Sequence, residues 1–116
     1  MKKGYEGGCH CGAVRFRASL DLDEAIICDC TICRKKGSIA VRIDESAFEL
    51  LTPLDDLGMY QFNKRIARHY FCTICGIHAF HRPRSYPDLW AVNIRSLDGI
   101  DIATIEPRRV SGSKLD

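Results

Sequence analysis

Gly8-Cys9-His10-Cys11-Gly12, set beside Cys72-Thr73-Ile74-Cys75-Gly76, is the stretch on which the reading of this chain turns. Each pair of cysteines is followed at once by a glycine. Glycine there lets the backbone turn tightly, so that amide N–H groups point at the sulfurs. Tetrahedral zinc takes four ligands, with Zn–S bonds of about 2.3 Å, and short spacings let one loop supply two of them. Two such knuckles make a closed site of four cysteine sulfurs. It would tie the first strand to a hairpin about sixty residues later. Structural zinc contributes folding free energy on the order of 10 kcal/mol. For a small β domain with a thin core that is a large share of what holds the fold together.

A third group, Cys28-Asp29-Cys30-Thr31-Ile32-Cys33, has no obvious fourth partner. Three protein ligands plus an open position is the pattern of a reactive zinc, which stabilises a bound thiolate or polarises a carbonyl. The other reading is a second structural site closed by a distant histidine, or one often empty of metal. His78 and His81 are the histidines within sequence reach of that role. Each is as easily a surface or half-buried strand residue, and His10 is expected to point away from the first knuckle. Arg34-Lys35-Lys36 follows Cys33 directly. It reads either as a clamp for substrate carboxylates or as a solvated turn offsetting thiolate charge.

The bulk properties agree with metal. The chain has 116 residues, the length of one domain, and seven cysteines. An odd count leaves one thiol over in any disulfide scheme. The N-terminal Met1-Lys2-Lys3-Gly4-Tyr5-Glu6 has no apolar stretch behind its lysines, as a secretory signal would need. No apolar run approaches the roughly 20 residues of a membrane span. A cytoplasmic, reducing location and no membrane partner are therefore expected. The formal charge is +2 (17 basic against 15 acidic residues). Seven thiolates and two zinc ions would bring it to about −1, because zinc ligates thiolate. The basic balance is thus no argument for a nucleic-acid partner.

Alternation dominates the rest. Val14, Phe16, Ala18 and Leu20 share one face of a strand over residues 13–20, with Arg15, Arg17 and Ser19 on the other. Strands are expected at residues 24–28, 39–43, 48–51, 77–81, 89–94 and 100–105, and a hairpin of 59–62 with 67–71 across Asn63-Lys64-Arg65. One helical turn fits Thr31 to Lys36, ended by Gly37. Trp90 and Phe80 read as core residues, and the polar stretch 108–116 as a frayed tail. Many short strands with turn signals make a mainly β domain.

Gly8 to Phe16, Cys28 to Lys35, Phe71 to Gly76 and Asn93-Ile94-Arg95-Ser96-Leu97-Asp98 together resemble the glutathione-dependent formaldehyde-activating enzyme family, which also includes centromere protein V. The resemblance spans most of the chain. It implies a β-tent fold of short antiparallel strands and two zinc ions. Cys9, Cys11, Cys72 and Cys75 match the structural ligands, and Cys28, Cys30 and Cys33 the catalytic ones. The implied activity is a carbon–sulfur lyase joining glutathione to formaldehyde as S-hydroxymethylglutathione. Arg34 and Lys35 are then candidates for the glutathione carboxylates. Two other functions fit the same residues: a non-catalytic zinc-binding module with a macromolecular partner, and a thiol or redox sensor.

Overall fold

The period-two alternation of residues 15–20 produces a strand that buries Phe16, Ala18 and Leu20 and exposes Arg17 and Ser19. A computed structural model describes residues 1–112 of the chain. Along them run β1 (Lys3–Gly8), β2 (Arg15–Leu20), β3 (Ile26–Cys28), helix α1 (Thr31–Lys36), β4 (Ala40–Ile43), β5 (Phe48–Leu50), β6 (Gly58–Tyr60), β7 (Arg68–Phe71), β8 (Phe80–Arg82), β9 (Trp90–Asn93) and β10 (Arg108–Val110), with short 3-10 turns between some of them. The expectation of a mainly β fold of short strands holds.

Two sheets form. One is three-stranded, in the order β1-β2-β5, and antiparallel. The other has seven strands in the order β10-β3-β4-β9-β8-β7-β6. Its neighbours are antiparallel except β10 and β3, which run parallel. Phe16 and Leu20 from the small sheet pack with Val41, Phe80, Trp90 and Val92 from the large one. Phe80 meets both Phe16 and Trp90 edge-on, at ring centroids 5.9 and 5.3 Å apart. That is the preferred arrangement of aromatic quadrupoles and adds about 0.5–1.5 kcal/mol per pair beyond burial. Trp90 and Phe80 are core residues, as read from the sequence.

Two expectations are corrected. Residues 100–105 contain a 3-10 turn, Ile102–Thr104, in place of a strand. The Asp101 carboxylate accepts the Ala103 N–H and the Thr104 hydroxyl donates to the Asp101 carbonyl, so side-chain capping competes successfully with strand pairing. The tail is ordered at its start. Arg108 to Val110 pair with Ile26 to Cys28, and the Asp29 N–H donates to the Val110 carbonyl. Residues 113–116 of the expected frayed tail lie outside the described residues. The structure also adds β1, a strand that the pattern does not suggest, because glycines at 4, 7 and 8 argue against one.

Those glycines have different reasons. A Cβ at Gly7 would lie 2.6 Å from the Ser96 carbonyl oxygen and 2.8 Å from the Phe16 ring, whereas one at Gly4 would meet nothing. Gly7→Ala is expected to cost about 1–3 kcal/mol by overpacking against backbone that cannot retreat. Gly4→Ala is expected to be neutral. Urea unfolding of both variants checks this, and equal midpoints would refute it.

Candidate functional site

Cys9 and Cys11 lie just beyond the end of β1, and Cys72 and Cys75 just beyond β7. The first pair therefore belongs to the three-stranded sheet and the second to the seven-stranded one. All four sulfurs lie within 4.8 Å of one another. Cys11 Sγ is 3.6 Å from both Cys9 Sγ and Cys72 Sγ. A regular tetrahedron with Zn–S bonds of about 2.3 Å has edges of about 3.8 Å. Gly12 and Gly76 both take the left-handed conformation, with φ of +86° and +81°. The turns aim amides at sulfur as the sequence implied. Val14 N–H donates to Cys9 Sγ, and Ile74 and Cys75 N–H donate to Cys72 Sγ. Those N–H groups hold the Cys72 thiol below its ordinary range. Backbone donors from the Cys11 and Ile77 region bring Cys75 down to about 6. Cys72 and Cys75 are thus tuned toward thiolate, whereas Cys11 is pushed up to about 11 within the same group.

Cys28 ends β3, Cys30 caps α1, and Cys33 sits in its first turn. Their sulfurs also converge within 4.8 Å, with no histidine or carboxylate joining them among the described residues. Gly37, at φ +67°, stops the helix as expected, donating its N–H to the Cys33 carbonyl. Thiol hydrogen bonds from Cys30 and Cys33 hold Cys28 well below the ordinary thiol range. The same cluster of bonds pushes Cys33 up. Soft thiolate sets of three and four sulfurs suit zinc among the common divalent ions. Both cysteine groups can hold a metal ion.

The two groups differ in their surroundings. Cys28, Cys30 and Cys33 line a cavity of about 110 Å³. Loop 61–67 forms another wall, held in shape by the Gln61 side-chain amide, which donates to the Arg65 and Ala67 carbonyls. Arg42, Lys64, Arg65 and Arg84 also line it, and among the described residues no carboxylate does. Well below the few hundred Å³ of a typical small-molecule site, this volume takes the reacting end of a substrate and not a whole peptide. A larger hollow of about 610 Å³ shares Ile32 and Phe62 with it and is lined also by Lys35, Tyr60 and His78.

A model of the family described as glutathione-dependent formaldehyde-activating enzyme matches residues 4–110. The chain belongs to that family. A crystal structure of a Rhodobacter sphaeroides protein, a structural-genomics target, is similar at a TM-score of 0.83 and 36% identity, over 90% of this chain and 99% of that one. Family membership supports a glutathione-related, formaldehyde-activating function for this chain. No helix among the described residues is long and apolar enough to cross a membrane.

The other site residues expected from sequence divide clearly. Lys35 lines the larger hollow, while Arg34 is exposed and lines neither space. His10 is exposed, His78 belongs to the larger hollow, and His81 lines the cysteine cavity without joining the sulfur group. Sequence reasoning reads Lys36 only as part of the Arg34-Lys35-Lys36 clamp or turn and gives His69 no role. Lys36 Nζ lies 3.2 Å from His69 Nδ1 and 3.4 Å from His81 Nδ1, and the two imidazoles stack at 5.0 Å. No local signal joins them, because the His69–His81 pairing is created by the register of β7 on β8. Burial, reinforced by the Lys36 charge, lowers the pKa of both rings, that of His69 to about 4.

The low pKa of His69 gives the stability of the fold a definite pH dependence. The unfolded chain takes up a proton at His69 near pH 6.5 that the folded chain refuses until about pH 4. The stability contributed by the neutral ring is complete above 6.5 and lost as the pH falls through that window. His69→Phe is expected to show a shallower decline in thermal midpoint between pH 6.5 and 4 than the parent. Parallel declines would contradict it.

Proposed function

We propose that this protein is a zinc-dependent carbon–sulfur lyase-type enzyme that joins glutathione to formaldehyde, giving S-hydroxymethylglutathione. The observation that carries the reading is the three-thiol group in the wall of a small, positively lined cavity, in a chain of this family. The matched segment, residues 4–110, is read as one such domain. Free thiols in this number suit the reducing cytoplasm.

In this reading Cys9, Cys11, Cys72 and Cys75 hold a structural zinc, and Cys28, Cys30 and Cys33 hold the catalytic one. When bound by three thiolates, zinc supplies an open coordination position that favours the deprotonated form of an incoming sulfur. A free thiol with a pKa near 8.5 is mostly protonated at neutral pH, so this is the step that needs help. The chain's own residues do the rest. The cavity admits the thiol end and the small aldehyde together and limits water. The peptide body of glutathione extends into the larger hollow, where Lys35 meets one carboxylate, and Arg65 at the cavity wall meets the other. Arg34 takes no part. The cysteines are ligands and not nucleophiles.

The two sulfur groups should behave differently. Cys75→Ser is expected to abolish cooperative folding, since a structural zinc contributes on the order of 10 kcal/mol. Cys30→Ser is expected to stay folded, lose one of two zinc ions by elemental analysis, and lose glutathione binding by calorimetry. A parent protein carrying both metals that ignores glutathione would defeat the enzyme reading. Lys35→Ala and Arg65→Ala should each raise the Kd for glutathione roughly three- to tenfold, the scale of a charge-assisted hydrogen bond near a surface. Arg34→Ala should leave it unchanged, and equal losses in all three would remove the assignment of the carboxylate contacts.

A further inference from the structure

One polar group in the cysteine cavity has no structural employment. Ser38 lines it, is 5% exposed, and its hydroxyl has no hydrogen-bond partner among the described residues. A buried hydroxyl that borders a cavity and has no protein partner is free to hydrogen-bond whatever enters it. The same cavity is lined by His69 and His81, which are 3% and 8% exposed. Each turns its Nδ1 to the Lys36 amine. Burial lowers the pKa of Lys36, and the nearby Cys33, Cys30 and Cys28 sulfurs oppose this and hold it as ammonium. As ammonium it donates and cannot accept, and both Nδ1 atoms are then acceptors. A neutral imidazole with Nδ1 as acceptor carries its proton on Nε2. The Nε2–H of each ring is then the donor left over once Lys36 is satisfied. The stacking of the two rings, extended by Phe62 over His69 at 6.1 Å, keeps both planes fixed.

We propose that Ser38, His69 and His81 form the oxygen subsite of this cavity, which binds the carbonyl oxygen of the aldehyde, and that Lys36 is the positioning residue that fixes both imidazoles as Nε2–H tautomers. The inference rests on the glutathione–formaldehyde reading above and assigns it a set of residues. In the addition, the glutathione sulfur bonds to the carbonyl carbon. The π pair of the C=O bond moves onto oxygen, and the proton released by the thiol ends on that oxygen. Nothing is oxidised or reduced. Donors already aimed at the place where negative charge develops need no reorganisation during the step. The serine hydroxyl and the two Nε2–H groups are such donors. The same site holds the hydroxyl of the adduct in the reverse direction.

The test uses metal-loaded protein and two ligands, the S-hydroxymethyl adduct formed from glutathione with formaldehyde, and S-methylglutathione, which lacks the oxygen. Ser38→Ala, the smallest change, and His81→Phe, which keeps the ring stack, are expected to bind the adduct roughly tenfold more weakly, the worth of one good hydrogen bond. Both should bind S-methylglutathione as the parent does. Nitrogen-15 NMR of the imidazoles should find His69 and His81 as Nε2–H tautomers in the parent, mixed tautomers in Lys36→Met, and restoration in Lys36→Arg. Equal loss for both ligands, or Nδ1–H tautomers in the parent, overturns the subsite while leaving the enzyme reading intact. A parent protein that binds neither ligand overturns the enzyme reading, and the subsite with it.

Discussion

Four sulfur atoms from two different sheets meet within 4.8 Å of one another. As thiolates they repel at that distance, and as thiols they are weakly bonded polar groups in place of apolar packing. Such an assembly is stable when a cation sits among them, and the N–H groups of Val14, Ile74 and Cys75 aimed at sulfur favour the thiolate form that a cation needs. The position matters as much as the chemistry. Cys9 and Cys11 leave β1 and Cys72 and Cys75 leave β7, so the cluster closes the small sheet onto the large one at the edge of the aromatic core. Two of its members, Cys9 and Cys72, are themselves packed into that core. The separation of the cysteine pairs along the chain gives the contact a loop-closure cost, which a bound metal would offset.

Once the sheets are fixed against each other, the second sulfur group can be left incomplete. Its three cysteines come from one continuous segment, the end of β3 and the start of α1, and need no distant partner to stay together. Instead of a fourth ligand the fold supplies walls. Loop 61–67 stands on one side, and the backbone of Gly112, after β10, closes against Cys28 and Cys30 so tightly that a Cβ there would collide with the Cys28 sulfur. The parallel addition of β10 to β3 is what carries the chain past the cysteines. Thus the closed group maintains the architecture and the open group is enclosed by it.

What the sequence discloses and what it withholds follow from the range of the forces involved. The knuckles are legible because a metal knuckle is a local object. Two cysteines, a glycine and the left-handed turn at Gly12 or Gly76 lie within five residues. The strand at residues 15–20 is legible because its two faces are chemically distinct. By contrast, β10 reads as a tail because Arg108 and Arg109 are polar and exposed, and only pairing with Ile26 and Ile27 makes them a strand. Residues 100–105 look apolar enough for a strand, but the Asp101 cap decides for a turn. The Lys36, His69 and His81 group is invisible for the same reason as β10. Its members come from a helix and two strands, and only the tertiary register brings them together.

The emphasis that the sequence places on Arg34 and Lys35 has a more instructive cause. It equates adjacency in sequence with adjacency in space, yet the segment after Cys30 is a helix, in which residues three apart share a face. Cys30, Cys33 and Lys36 are spaced by three and so fall along one side of α1. Cys30 and Cys33 line the cavity, and Lys36, at the far end of that side, reaches the buried imidazoles of His69 and His81 while also bordering the larger hollow. Its charge also lies near enough to the Cys28, Cys30 and Cys33 sulfurs for them to favour its protonated form against the burial that lowers its pKa. Arg34 and Lys35 rotate away, one to solvent and one to the neighbouring hollow. Helical period applied to the short turn after the cysteines selects Lys36 from the three basic residues, leaving only its partners to be supplied by the sheet.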